Sequence, residues 1–158
     1  MEKSPRLPYA TYHQHRSHIS LVMSHFFLGY LHDIHKAFEG DLAMVIVVGE
    51  IAHHNFTRHF GPSGLSKTAS VLQTDPTRWA ALPGCNAFSL ANATGLPRET
   101  VRRKIKRLVE LGWLARDTQG CLRITPALAN HFQPRWNYDL MEALLATADR
   151  IREVAKKG

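Results

Sequence analysis

The sequence predicts a mainly α-helical fold that contains one small β-hairpin. Apolar residues recur at helical spacing along three stretches, residues 17–38, 98–111 and 138–156. Residues 86–106 place two helices on either side of a glycine, and two short strands that flank a glycine-containing turn follow them. The chain has 158 residues, of which 44% are hydrophobic, so it is long enough for a small globular domain with additional helices.

The first sixteen residues are expected to form a flexible arm, because they contain Pro5, Pro8 and several histidines. A helix should begin at Ser17, a suitable cap, and continue to Phe38. Its apolar residues at helical spacing are Ile19, Val22, Met23, Phe26, Tyr30, Leu31, Ile34 and Phe38.

A second helix is predicted over Leu42–Phe60. Its Val-Ile-Val-Val run alone would suit a buried strand. Glu50 and the long continuation after it favour a helix that is buried on most sides. Residues 61–68 are expected to form a loop, and residues 69–82 a further short helix.

The segment NAFSLANATGLPRETVRRKIK has the residue spacing of a helix-turn-helix. Ala91 lies where the second helix crosses the first, and a larger side chain there would push the two helices apart. Gly95 suits the left-handed residue that ends the first helix, since glycine adopts this conformation without a steric penalty. Asn86 is a favourable N-cap, Pro97 presets the backbone where the second helix begins, and Val101 packs that helix onto the first.

The second helix of this pair, from Arg98 to about Leu111, has one apolar face and one mainly basic face. The apolar face contains Val101, Ile105, Leu108 and Leu111, and the other contains Glu99, Thr100, Arg102, Arg103, Lys106, Arg107 and Glu110. Gly112 ends the helix. Residues 113–116 and 121–125 then flank a Gly-containing turn, which predicts a hairpin, or wing.

The run SLANATGLPRETVRRKIKRLVELGWLARDTQGCLRIT resembles the DNA-binding domains of GntR-type and MarR-type regulators of bacteria. The resemblance covers roughly residues 80–126. It implies a winged helix-turn-helix and, with it, a sequence-specific transcriptional regulator that binds double-stranded DNA. The helices on both sides of the winged segment are similar in layout to those of MarR-type proteins, in which flanking helices pair two subunits.

The distribution of charge also favours a polyanionic partner. The chain carries 20 Lys and Arg against 13 Asp and Glu, a formal net charge of +7. Between Arg98 and Arg123 there are eight basic and three acidic residues, so most of the excess lies on the second helix of the motif and on the wing. A merely solvated helix face usually mixes both signs. Double-stranded DNA is therefore the expected partner.

The predicted DNA contacts follow from the position of each polar residue in the motif. The first turns of a recognition helix reach base edges in the major groove, where an arginine fork can bind guanine O6 and N7. We expect this surface to consist of Arg98, Thr100, Arg102 and Arg103. Phosphate contacts are expected from Lys106, Arg107, the amide end of the first helix near Ser89, and the wing residues Arg116, Gln119 and Arg123.

The chain divides into a predicted arm at 1–16, a helical region at 17–68, the winged domain at 69–126 and a C-terminal helical region at 127–158. The last region contains a helix from Tyr138 to Lys156. A winged domain completes its own core with about three helices and a hairpin, so the apolar faces of the flanking helices need another partner. A homodimer is expected, and a monomer whose helices fold back onto the winged domain is the alternative.

Ten histidines raise the alternative of a metal-binding protein or a metal-responsive regulator. His18, His25 and His32 recur every seven residues, about 10 Å apart along a helix, which is too far to share one ion. The pairs with better spacing are His32 with His35, and His53 or His54 with His59. No metal-binding motif supports them, so we expect solvated or interface histidines, no metal and no cofactor.

Other classes of function receive less support. A winged domain used for protein contacts would present aromatic or aliphatic anchors instead of Arg and Lys. No phosphate-binding loop, nucleophile elbow or acid pair occurs at recognisable spacing, so an enzyme is not expected. The operator is not identified, and a small-molecule effector is left open.

The two cysteines, Cys85 and Cys121, are too few for a disulfide framework. They are expected to be small apolar residues, with a redox switch between them as the alternative. The N-terminal residues lack an apolar signal-peptide core, and the longest apolar stretch, Leu42–Ala52, is too short to span a bilayer. We therefore expect a cytoplasmic protein without a membrane partner.

Overall fold

The computed structural model describes residues 7–57, 76–132 and 134–156. Its elements are helices α1 (Tyr9–Ala37), α2 (described over residues 42–57), α3 (Ala87–Thr94) and α4 (Arg98–Glu110), strands β1 (Leu114–Arg116) and β2 (Leu122–Ile124), and helices α5 (Pro126–His131) and α6 (Pro134–Lys156). A 3-10 helix at Pro76–Ala81 precedes α3. The two strands pair antiparallel, with Leu114 opposite Ile124. The prediction of a mainly helical fold with one small hairpin is confirmed.

The chain folds into two compact units. One contains α1 and α6, which pack against each other. The other runs from Phe38 to Gln133 and contains α2 to α5 with the hairpin. The predicted region 17–68 groups α2 with α1, whereas the structure places α2 in the same unit as the hairpin.

The first helix begins at Tyr9, so the prediction of an arm is wrong for residues 9–16. The cause is local, because the backbone N–H of Tyr12 donates to the carbonyl of Pro8 at 3.0 Å. Proline has its φ already set near the helical value and suits the start of a helix. Residues 1–6 of the predicted arm lie outside the described residues.

The apolar stripe predicted for α1 is only partly buried. Ile19 and Ile34 are buried, whereas Met23 and Leu31 are exposed. The last predicted member, Phe38, is buried but lies after the helix has ended. α6 begins at Pro134, earlier than predicted, and Val154 is its buried residue. Both helices therefore retain a substantial exposed apolar surface.

Helix α2 resolves the ambiguity of the Val-Ile-Val-Val run in favour of a helix. Its buried residues are Met44, Val47, Val48, Ile51 and Asn55, which share one face at helical spacing. A strand would instead divide this run between two faces. The predicted end at Phe60 and the predicted loop at 61–68 lie outside the described residues, as do residues 69–75 of the predicted short helix.

The segment after the hairpin forms α5, a short helix that the sequence pattern does not predict. Pro126 occupies its first turn, a position that proline favours in helices. Aromatic rings next to α5 pack closely: the Trp113 ring centroid lies 4.3 Å from that of His131, and the Phe38 centroid lies 5.4 Å from that of Phe132. These contacts hold α5 against the start of the hairpin.

No helix in the described ranges combines the length and hydropathy needed to cross a bilayer.

Candidate nucleic-acid interface

The turn between α3 and α4 has the local structure that the residue spacing predicts. The Asn86 side chain accepts a hydrogen bond from the Ser89 backbone N–H at 2.8 Å, so it caps α3. Gly95 has a φ of 67° and donates its N–H to the Ala91 carbonyl at 3.1 Å. The Pro97 carbonyl then accepts the first intrahelical bond of α4. The predicted spacing is thus matched by an observed cap at each end of α3, and by Pro97 directly before α4.

The packing of α3 on α4 determines which face of α4 is free. Leu90 and Ala91 of α3 are buried, as are Val101, Ile105 and Leu108 of α4. The exposed side chains on the opposite face of α4 include Arg98, Arg102, Arg103, Lys106 and Arg107. The predicted division of this helix into an apolar and a basic face is confirmed.

Two of these exposed arginines have carboxylate neighbours on the same helix. Arg102 donates from Nε and Nη2 to the two carboxylate oxygens of Glu99, at 2.9 and 2.7 Å. The Arg102 hydrogen bond is the main reason why the pKa of Glu99 lies below its ordinary value. Arg107 lies 3.7 Å from Glu110. Both pairs are exposed, so each guanidinium can leave its carboxylate at little cost.

Lys104 is directed away from the basic face and pairs with Asp41. Asp41 also accepts a hydrogen bond from the Met44 backbone N–H at 2.9 Å, at the start of α2. Desolvation raises the pKa of Asp41, but the hydrogen bonds from Lys104 and Met44 and the charge of Lys104 outweigh it, so the pKa is lowered overall. This ion pair joins α4 to α2, across 63 residues of sequence.

Arg98, Arg103 and Lys106 remain without a carboxylate partner in the described part of the chain. The Arg98 guanidinium carbon lies 4.6 Å from the centroid of the Phe88 ring. Phe88 is 57% exposed, so a large aromatic side chain stands on the outer surface of the motif. The sequence motif does not single out Phe88, because helical spacing alone cannot separate an outward-facing aromatic residue from a core one.

The hairpin turn is organised by Asp117. One carboxylate oxygen accepts the backbone N–H groups of Gln119 and Cys121, at 3.0 and 2.8 Å. The other accepts Arg123 Nη1 at 2.7 Å, and this bond is the largest cause of the lowered pKa of Asp117. Arg123 also donates to the Leu82 carbonyl. Arg123 is thus bound within the unit, unlike Arg116, which is exposed.

The structure places the predicted site residues on α3, α4 and the hairpin. Exposed members are Ser89, Arg98, Arg102, Arg103, Lys106, Arg107, Arg116 and Gln119, and half-buried members are Thr100 and Arg123. The Ser89 backbone amide is satisfied by Asn86, which leaves the hydroxyl as the polar group that Ser89 presents.

Asn55 is a residue of this unit that sequence reasoning missed. Its side chain is completely buried on α2. The amide nitrogen donates to the carbonyls of Pro83 and Leu122, at 2.6 and 3.3 Å, and the amide oxygen accepts the Ile124 N–H at 2.9 Å. Asn55 therefore connects α2 to strand β2. The sequence could have indicated Asn55 by its position, because it is a single polar residue at the helical spacing of the buried apolar residues of α2.

The two cysteines lie near each other on the edge of the hairpin. Cys85 pairs with Leu122 in an antiparallel bridge, next to Cys121 in sequence. Side chains alternate between the faces of a strand, so Cys85 and Cys121 belong to opposite faces. Burial is the main cause that raises the pKa of Cys85 to about 11, which keeps this thiol protonated near neutral pH. These features give the redox alternative no support.

Among the described residues, no three His, Cys, Asp or Glu side chains are grouped closely enough to hold a metal ion. His32, His35 and His53 are exposed. His59 lies outside the described residues, so the predicted alternative pair with His53 or His54 is not described. Comparison of the chain with protein-family models, with curated proteins and with solved structures returned no match.

Proposed function

We propose that this chain is a cytoplasmic transcriptional regulator that binds double-stranded DNA sequence-specifically, as a homodimer. The observation that carries the proposal is the exposed cationic face of α4, held beside a hairpin by a capped helix-turn-helix. Such a helix fits the major groove of B-DNA, where the paired N–H donors of an arginine side chain can distinguish one base pair from another. A protein-binding surface would instead be depleted of lysine and rich in apolar anchors.

The proposed roles follow from which groups are free. Arg98 and Arg103 lack a carboxylate partner in the described part of the chain, and together with Thr100 and Arg102 they form the base-reading surface. Arg102 exchanges Glu99 for a base when DNA binds. Phosphate contacts come from Ser89, Lys106, Arg107, Arg116 and Gln119. Arg123 supports the hairpin through Asp117 and Leu82, and acts on DNA through the position of the wing.

The homodimer rests on the exposed apolar surface of the α1 and α6 unit. Leu21 and Leu28 are exposed on α1, at a spacing that places them on the side opposite the buried Ile19 and Ile34. A helix that is apolar on both sides needs a second packing partner. Exposed apolar residues on α6 are Tyr138, Met141, Leu144 and Leu145. A second copy offers the same surface, and two-fold pairing closes the assembly.

Binding of duplex DNA across a salt series tests the proposal. Fluorescence anisotropy with mixed genomic duplexes should give a binding constant whose logarithm falls with log salt concentration, at about 0.9 per neutralised phosphate. The dimer should show a slope of several units. Lys106→Ala should lower this slope by about one unit per protomer. Lys36→Ala, an exposed lysine on α1, is the matched control and should leave it unchanged.

A binding constant that does not depend on salt would contradict the proposal, as would an absence of binding to duplexes at low salt. Equal effects of Lys106→Ala and Lys36→Ala would show that α4 is not the contact surface.

A further inference from the structure

We propose that Phe88 and Arg98 act together to read two adjacent base pairs: a guanine, and a neighbouring pyrimidine that carries a C5 methyl group. Thymine and 5-methylcytosine both present this methyl group in the major groove. The inference rests on the proposed function, because it assigns a base preference to the same helix-turn-helix surface.

The geometry of the pair leaves the hydrogen-bonding edge of Arg98 free. The guanidinium carbon lies 4.6 Å from the Phe88 ring centroid, at the distance of a cation–π contact. Stacking uses the flat face of the guanidinium, whereas its N–H donors lie at the edge. No carboxylate or carbonyl partner of Arg98 occurs among the described residues. The Phe88 ring therefore orients the Arg98 guanidinium and leaves its N–H donors available for a base.

The position of the pair places it at the base-reading end of the motif. Arg98 is the first residue of α4, and the N-terminal residues of a recognition helix contact base edges. Phe88 is in the first turn of α3, directly beside Arg98. An aromatic ring that is 57% exposed contributes little to the core of its own unit, so its exposed face is available for another apolar group.

The chemistry of the two side chains selects two adjacent bases. An arginine fork binds O6 and N7 of guanine, and an apolar side chain such as phenylalanine contacts the pyrimidine methyl group. Successive bases on a strand are about 3.4 Å apart along the helix axis. The guanidinium carbon and the ring centroid are 4.6 Å apart, more than one base step and less than two, so each side chain can meet one of two neighbouring base pairs.

The experiment begins with selection of bound duplexes from a random pool by the wild-type protein and by Arg98→Ala. The position at which Arg98→Ala loses its guanine preference identifies the Arg98 contact. We expect a thymine in an adjacent base pair.

Replacing that thymine by deoxyuridine removes only the methyl group. This change should weaken wild-type binding about fourfold, the affinity change expected for one buried methyl group. Replacing the T·A pair by 5-methylcytosine·G should retain the methyl contribution, whereas unmethylated cytosine should lose it.

Two variants of Phe88 make the assignment specific. Phe88→Ala should bind the thymine and deoxyuridine duplexes equally, and Phe88→Leu should keep part of the discrimination because it retains apolar contact. Val109→Ala, an exposed apolar residue at the far end of α4, is the matched control and should discriminate like the wild type.

The inference is overturned if the methyl group has no effect on wild-type binding, or if Phe88→Ala and the wild type lose the same affinity with deoxyuridine. If salt-dependent duplex binding persists in either case, the proposed function stands and only the Phe88–Arg98 assignment falls. An absence of duplex binding by the wild type overturns both.

Discussion

The side chain of Asn55 on α2 and that of Asp41, directly before α2, position the hairpin and α4. Asn55 bonds to three backbone groups, two of them on β2, and Asp41 pairs with Lys104 on α4. Neither side chain lies on the exposed basic face. They would affect the proposed DNA binding through the relative placement of α4 and the hairpin, which the proposal brings to one duplex.

Replacing Asn55 by leucine should lower the free energy of unfolding by about 1–3 kcal/mol, the usual cost of leaving buried backbone groups without partners. Leucine has a similar size, so the effect reports the lost hydrogen bonds more than a cavity. Urea unfolding measures it. Asn130→Leu, an exposed asparagine on α5, is the control. A loss no larger than that of the control would show that these bonds do not stabilise the unit.

Replacing Asp41 by asparagine should reduce stability at neutral pH and have a smaller effect in acid. The pKa of Asp41 is lowered from its ordinary 3.8 in the folded protein, so its contribution is fully present above that value. It is lost as the pH falls through the lowered folded pKa. The difference in unfolding free energy between wild type and variant should therefore shrink below about pH 4.

Denaturant unfolding at pH 7 and at pH 3 measures this change, with Asp149→Asn in an exposed pair on α6 as the control. An Asp41→Asn difference that is the same at both pH values would exclude an ionised Asp41 as the stabilising species.

At the scale of single elements, α4 combines structural contacts with the proposed binding surface on one helix. Its apolar face packs on α3, Lys104 connects it to α2, and its outer face presents arginines that are partly paired with glutamates. The Glu99 carboxylate occupies the fork of Arg102, which is one of the proposed base-reading groups. Helix formation benefits from Glu99, since an acidic residue in the first turn interacts favourably with the helix dipole.

Glu99→Gln should tighten duplex binding roughly a few fold, because it removes a negative charge from the interface and frees the Arg102 fork. Anisotropy titrations at fixed salt measure the affinity. Glu153→Gln removes the same charge from an exposed position of α6 and should have little effect. Weaker binding of Glu99→Gln would instead indicate that Glu99 itself accepts a hydrogen bond from a base or orients Arg102 productively.

At the scale of the whole molecule, the unit from Phe38 to Gln133 has a well-buried core, whereas the described part of the α1 and α6 unit leaves many apolar side chains exposed. Val101, Leu108 and Leu122 are fully buried in the first of these units. In the other, the exposed side chains include Leu21, Leu28, Leu144 and Leu145. Two helices bury too little apolar surface to be stable alone, so this unit is the part of the chain for which an assembly matters most.

Leu144→Glu should convert the proposed dimer into monomers. Leu144 is 52% exposed, so the change leaves the packing within its own chain largely intact while it places a charge in the proposed interface. Sedimentation equilibrium should give twice the 17.9 kDa of one chain for the wild type and one chain mass for the variant. Glu153→Lys should remain dimeric. A wild-type mass near one chain at micromolar concentration would contradict the dimer.

The sequence by itself determined the structure wherever the decisive interaction joins close neighbours. The Asn86 cap, the left-handed Gly95, the end of α4 at Gly112 and the turn before Cys121 all depend on groups within about four residues. These signals were sufficient to predict helices α3 and α4, the hairpin and the basic face of α4. The start of α1 is also decided locally, by Pro8, whose carbonyl accepts the Tyr12 N–H.

Only the tertiary structure decided which polar side chains have a hydrogen-bond or ion-pair partner, and which apolar helix faces are buried. Lys104 and Asp41 are 63 residues apart, Asn55 and Ile124 are 69 apart, and Arg123 and Leu82 are 41 apart. Side-chain type and periodicity define what each group can bind, but the partner depends on how distant segments pack. For the same reason the sequence could identify the cations of the candidate interface, while the fold alone distinguishes the exposed Arg103 from Arg123, which is hydrogen-bonded to Asp117.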